Sequence, residues 1–150
     1  MLTRLVCLLA VLSVACAPKS EAPKPGSAMP SSIVEPYLQI QSALAQDSVE
    51  GVRAHAGEIA TAATALGAPA MKIDTAALQL ASATEIEDAR TKFATLSEAI
   101  VAYVDGFHLT LPEGVRVATC SMLHKPWLQE GTDVSNPYYG KSMITCGDFR

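Results

Sequence analysis

The strongest constraint on the fold is one long apolar stripe. Ile86, Ala89, Phe93, Leu96, Ile100, Tyr103 and Phe107 recur at alternating steps of three and four, the spacing of one face of an α-helix of about six turns. Ahead of it, Thr84-x-x-Glu87 has the pattern of a capping box, in which a hydroxyl and a carboxylate satisfy two of the free amides at a helix start.

Three shorter helical patterns precede it. Ile33, Tyr37, Ile40 and Leu44 step by four, three and four, with Pro36 expected in the first turn, where its missing N–H costs nothing. A second pattern follows Asp47, with Asp47-x-x-Glu50 as a cap-like opening and Val49, Val52, Ala56, Ile59, Ala63 and Leu66 as its stripe. Gly67 and Pro69 stop it in the order expected at a helix end. A third runs over 70–81, with Ile73, Ala77 and Leu80 on one face. Short connections make neighbouring helices antiparallel, so the expected fold is mainly α, a small up-and-down bundle of about four helices. Alanine at many stripe positions makes the core thin, because each buried CH₂ contributes only about 0.8 kcal/mol. A cap over 107–150 completes the domain at 33–150. It is loop-rich, and 115–119 (VRVAT) alternates as a short strand or one arm of a hairpin after the turn Leu111-Pro112-Glu113-Gly114.

The N-terminal part has another character. Residues 1–15 carry one Arg, then an apolar run, then small residues before Cys16, the pattern of a cleaved secretory signal. The run is short for a permanent span. Ser13-Val14-Ala15-Cys16 resembles a bacterial lipobox, which implies a lipid on Cys16; ordinary signal cleavage among the same small residues is the alternative. Either route exports the chain to the cell envelope. A lipid would be its only membrane attachment, and Ala17 after Cys16 is compatible with outer-membrane sorting. Residues 16–32, rich in Pro, Ser, Ala, Gly and Lys, read as a flexible tether. The formal charge of −4 comes without a basic run, which argues against nucleic acid as a partner.

The chemistry is concentrated at 120–146. This stretch holds the only Trp, two of the four Tyr, two of the five Met and one of the three His, between Cys120 and Cys146. Cys120-x-Met122-x-His124 opens it and Met143-x-x-Cys146 closes it. One reading is a soft-metal site, since thiolate and thioether sulfur favour Cu(I), with Ag(I) behaving similarly, and imidazole also accepts copper. Zinc would use the cysteines and His124 but has little use for Met122 and Met143. A second reading is a Cys120–Cys146 disulfide, closing a loop of about 27 residues with roughly 3.5 kcal/mol of stabilisation; the pair could also alternate between staple and ligands. Redox catalysis lacks both a Cys-x-x-Cys and a helix-start thiol. Met122 and Met143 could equally be core filler, His124 a surface histidine, and His55 and His108 solvated groups. Trp127, Pro137, Tyr138 and Tyr139 read as the packing of the cap, with Asn136-Pro137 and Gly140 as turn makers. Glu113, Glu130, Asp133 and Asp148 are scattered without a nucleophile, base or hydrolytic metal motif, so no enzyme is expected.

Cys120-x-Met122, Trp127-Leu128-Gln129, Asn136-Pro137-Tyr138-Tyr139-Gly140, Met143 and Cys146-Gly147 resemble the tail of a family of exported bacterial domains of unassigned function. The similarity extends upstream through Tyr37-Leu38, Ala43-Leu44, Ala89-Arg90, Phe93 and Leu96-Ser97, covering roughly 33–147. Family tails usually begin Cys-Pro-Met, and here Ser121 takes the Pro place. Members occur as lipoproteins or fused to periplasmic adaptors of copper/silver efflux pumps. The resemblance implies soft-metal handling outside the cytoplasm, with such an adaptor as a partner. The expected function is a Cu(I) buffer or carrier using Cys120, Cys146, Met122 and Met143, with His124 as fifth candidate. The alternative is an envelope interaction module with a permanent disulfide and no metal.

Overall fold

The computed structural model describes residues 21–150. The signal at 1–15, Cys16 and the first part of the tether lie outside the described residues. Helices α1 (Ser31–Ala45), α2 (Val52–Leu66), α3 (Met71–Ala81) and α4 (Ile86–Gly106) pack in sequence, each on the next. Strands β1 (Val115–Thr119), β2 (Pro126–Glu130) and β3 (Asp148–Phe149) follow, in an antiparallel sheet of order β2-β1-β3. The protein is thus a helical bundle with a small three-stranded sheet at its C-terminal end. None of the described helices is long and apolar enough to cross a membrane.

The stripes form the core. Ile33, Tyr37, Ile40 and Leu44 of α1 meet Ala56, Ile59 and Ala63 of α2, Ile73 and Leu80 of α3, and Phe93, Leu96 and Ile100 of α4 in one buried cluster. Helix ends depart from the sequence reading where the chain makes contacts that local pattern does not encode. Asp47 does not open α2 but closes α1: at φ 60 it occupies the left-handed position usual for glycine. Ser48 N–H then reaches the Ala43 carbonyl at 2.9 Å and Asp47 N–H the Leu44 carbonyl at 3.2 Å, the paired bonds of a Schellman ending. α2 begins only after Gly51, so Val49 falls outside the helix and is exposed. The Thr84-x-x-Glu87 box is not formed. Glu85 is the N-cap residue of α4, without a side-chain cap bond, and the Glu87 carboxylate accepts from Arg90 instead.

The tether is shorter than its composition suggests. Gly26 N–H donates to the His108 carbonyl, Met29 N–H to the Thr110 carbonyl, and Thr110 N–H to the Ser27 carbonyl, at 2.8, 2.8 and 2.9 Å. This strap follows the chain beyond α4, and Met29 is fully buried with the core. One apolar side chain that finds a core position is enough to order a few Pro- and Ser-rich residues around it. Pinned in this way, the chain enters α1 at Ser31, and Pro36 lies inside the helix rather than in its first turn.

Candidate functional site

The site is built on the β1–β2 hairpin. Register runs from Val115 opposite Glu130 to Thr119 opposite Pro126. The turn at 120–125 closes with Cys120 N–H on the Lys125 carbonyl (2.9 Å) and His124 N–H on the Cys120 carbonyl (2.8 Å). His124 itself adopts φ 54. Cys120 is completely buried, and its Sγ accepts a long contact from Leu123 N–H at 3.5 Å. Met122, two residues on, is 58% exposed.

β3 joins the other edge of β1, pairing Ala118 with Phe149 and Thr119 with Asp148. One step further, the same register faces Cys120 with Gly147, and Cys146 directly precedes Gly147 in the chain. Ser121 Oγ bonds the Asp148 carboxylate across the gap at 3.2 Å. Ahead of β3 lies a second turn, in which Cys146 N–H donates to the Met143 carbonyl at 3.0 Å. Met143 is partly exposed and Cys146 half-buried. Both cysteines are free thiols. Cys120, Met122 and His124 from one turn, and Met143 and Cys146 from another, therefore belong to the same end of the sheet, with Cys120 underneath.

Strand alternation places Cys120 on the face of Ala118 and Trp127. Gly147, at φ 146, breaks that alternation just after Cys146. A Cβ at 147 would lie 2.8 Å from the Thr119 carbonyl oxygen and 2.7 Å from the Trp127 ring, so only glycine lets the second turn close over the indole. Among the described residues, no three His, Cys, Asp or Glu side chains gather as a metal site.

The segment between the turns wraps the hairpin and is held at each step. Trp127 is buried and donates from Nε1 to Gln129 Oε1 at 3.0 Å. Gln129, also buried, donates to the Asp133 carbonyl and accepts from Ser135 N–H. Asn136 is fully buried. Its Oδ1 accepts from Tyr138 N–H (2.8 Å) and Tyr139 N–H (3.3 Å), its Nδ2 donates to the Cys146 carbonyl (2.6 Å), and its own N–H donates to the Ile144 carbonyl (2.7 Å). Pro137 is buried and Tyr139 half-buried. Aromatic rings link the wrap to the bundle. Tyr37 stacks on Phe93 at 4.9 Å, Phe93 meets Tyr138 at 6.1 Å, and Tyr138 meets Trp127 edge-on at 5.7 Å. Tyr138 Oη donates to the Pro126 carbonyl. Tyr37 Oη pairs with Ser97 Oγ at 2.6 Å and accepts from Leu128 N–H at 3.1 Å. Burial pushes both phenols well above their ordinary value of 10.0, which keeps them neutral.

The helices grip this wrap from two sides. Gln41 of α1 donates to the Ser135 carbonyl at 2.6 Å. Arg90 of α4 donates from Nε to the Pro137 carbonyl (3.1 Å), from Nη2 to the Leu44 carbonyl (3.1 Å) and Asp47 (2.6 Å), and from Nη1 to Glu87 (3.0 Å). Gly140 packs against the Arg90–Asp47 pair so closely that a side chain would drive the pair apart. Leu123 and Lys125 of the hairpin turn also line a cleft of about 400 Å³ with Arg90, Ala94, Tyr138 and Tyr139. Its cations are already paired, Lys125 with Glu98 at 2.6 Å and Arg90 as above. Sequence reading missed the roles of Gln41, Asp47 and Gln129, and treated Asn136 only as a turn maker. The available signal was a polar residue at a core position, such as Gln41 four residues after Tyr37 and next to Ile40.

The hydrogen bond from Arg90 holds the Asp47 carboxyl below its ordinary value of 3.8. A lowered folded value stabilises the fold fully above the unfolded value and loses its effect as pH falls through the folded one. The difference in urea midpoint between wild type and Asp47→Asn should therefore be constant from about pH 7 to about pH 5 and shrink below about pH 4. A difference that grows on acidification would reverse the assignment.

Fold and site together define a small helical domain that buttresses a sulfur-bearing hairpin and its C-terminal wrap. By sequence comparison the chain belongs to the DUF3347 family, described as a protein of unknown function, which matches residues 33–111. The match covers the helices, including Gln41, Asp47 and Arg90, and ends ahead of the sulfur-rich tail. Neither the curated proteins nor the solved structures contain a match to the chain.

Proposed function

We propose that this protein is an exported, lipid-anchored carrier or buffer of Cu(I), or of the chemically similar Ag(I), working beside an envelope efflux system. The observation that carries the reading is that Cys120-x-Met122 and Met143-x-x-Cys146 adjoin the same end of the β1–β3 pairing, one directly after β1 and the other shortly before β3. The donor set fits a soft monovalent ion. Two thiolates supply charge, and two neutral thioethers complete the shell without adding more. His124 is the nearest imidazole candidate. The similarity of the tail to domains fused to adaptors of copper/silver pumps supports transfer to such an adaptor, and the lipobox-like Ser13-Val14-Ala15-Cys16 supports an anchor facing the periplasm.

A reduced soluble form starting at Glu21, which keeps the strap at 26–29, should compete for Cu(I) with a chromophoric chelator at one ion per chain. Cys120→Ser/Cys146→Ser should weaken binding by at least about 100-fold, and Met122→Leu/Met143→Leu by roughly 10-fold. No competition, or unchanged affinity in the double cysteine variant, would sink the reading. The near-facing register of Cys120 and Cys146 also supports the rival, a permanent disulfide in an interaction module. Thiol counting on protein taken from its own compartment separates the two, because the rival requires a fully oxidised pair that resists mild reductant.

A further inference from the structure

We infer that Asn136 is a positioning residue for the sulfur donors, holding the Met143–Cys146 turn in its ligand-ready shape before any ion arrives. The inference rests on the soft-metal reading for its purpose, and on the hydrogen bonds alone for its mechanism. Asn136 is fully buried, and its backbone and side chain together engage both ends of the second half of that turn, at the Ile144 and Cys146 carbonyls. Its remaining oxygen is occupied by the N–H groups of Tyr138 and Tyr139, which fixes the amide orientation and aims Nδ2 at Cys146. The residues on either side of it are tied to the bundle, Ser135 to Gln41 of α1 and Pro137 to Arg90 of α4.

Two helices thus hold the backbone on either side of Asn136 by hydrogen bonds to Ser135 and Pro137, and the buried amide between them carries one further bond to the carbonyl of Cys146. Groups that orient a ligand without touching the metal typically change affinity by about 10–100-fold when removed. A turn held in place before binding has less conformational freedom to lose on binding.

Asn136→Asp isolates the contact. In its ionised form the carboxylate keeps an acceptor for Tyr138 and Tyr139 N–H and has no proton to donate to the Cys146 carbonyl; both readouts are therefore taken at about pH 8, because burial favours the protonated acid, which could donate. In the intact, reduced protein, alkylation by iodoacetamide is followed at each thiol by peptide mass, and Cu(I) affinity is measured by chelator competition. The expected result is faster alkylation of Cys146 by about 5-fold, unchanged protection of Cys120, and Cu(I) affinity lowered about 10-fold at unchanged stoichiometry. A folded variant with Cys146 reactivity and Cu(I) affinity both within about two-fold of wild type overturns the inference.

If the variant unfolds, exposing both thiols alike, the wild-type protein decides. The Asn136 side-chain amide resonances should be protected from solvent exchange and should shift when Cu(I) is added; exchange at the rate of a free amide overturns the inference. If the wild type binds no Cu(I), the soft-metal reading fails, and the alkylation arm still judges the Asn136–Cys146 contact by itself.

Discussion

Arg90→Ala should lower the free energy of unfolding by about 3 kcal/mol, because it strips donors from several partly buried acceptors at once. The side chain is only 11% exposed and serves three segments: the end of α1 at Leu44 and Asp47, its own helix at Glu87, and the wrap at Pro137. Without it, the Pro137 and Leu44 carbonyls lose a donor inside a packed interface and Asp47 loses its cation. Arg90→Lys should recover less than half of the loss, since a single ammonium cannot reach carbonyls and carboxylate in the fixed fork geometry that a guanidinium provides. Urea unfolding followed by Trp127 fluorescence measures both variants. A loss under about 1 kcal/mol for Arg90→Ala would mean that the wrap docks through its apolar side chains alone.

Gly147→Ala should be of similar size, roughly 3 kcal/mol, from left-handed backbone strain added to a steric conflict. The obstruction is the Thr119 carbonyl, which is backbone and hydrogen-bonded into the sheet, and the Trp127 ring, which is fully buried. Neither can turn aside. The variant should lose the β1–β3 pairing and with it the placement of Arg116 over the Phe149 ring, now 3.7 Å from its centroid. Gly57→Ala is the control. It lies within α2 and a Cβ there meets nothing within 4 Å, so alanine should stabilise by about 0.5–1 kcal/mol. If Gly147→Ala were as harmless as Gly57→Ala, the close approach of the second turn to Trp127 would have to be abandoned.

The helices were legible because their signal is local and repeated. A stripe such as Ile86 to Phe107 states its period several times over, and no single position can mislead. Helix ends were less legible because each rests on one or two residues. Asp47 carries the side chain of a helix opener, yet it closes α1, since its carboxylate has a partner 43 positions away at Arg90. Thr84 and Glu87 match a capping box, but Arg90 one turn on claims the glutamate. Met29 looked like an incidental residue in a tether and is core. In each case the deciding partner lies far along the chain or in another element.

The candidate site divides in the same way. Its sulfur residues stand out by rarity and by their mirrored arrangement, and aromatic bulk at Trp127 and Tyr138 was expected to pack. What composition could not show is that Cys120 lies beneath the turn while Met122 stands out from it, or that Asn136 reaches Cys146. Those facts follow from the β1–β3 register and from Gly147, both products of long-range pairing.

By itself the sequence determined that this chain makes helices, how many, which faces they bury, and that soft donors concentrate near its C-terminal end. These are properties of periodicity and residue chemistry, which act over a few neighbours. Only the tertiary structure decided that Gln41 and Arg90 hold the backbone on either side of Asn136, and that Asn136 bonds the carbonyl of Cys146. Buried polar groups must find partners wherever the fold brings them, and that choice is made in space and not along the chain.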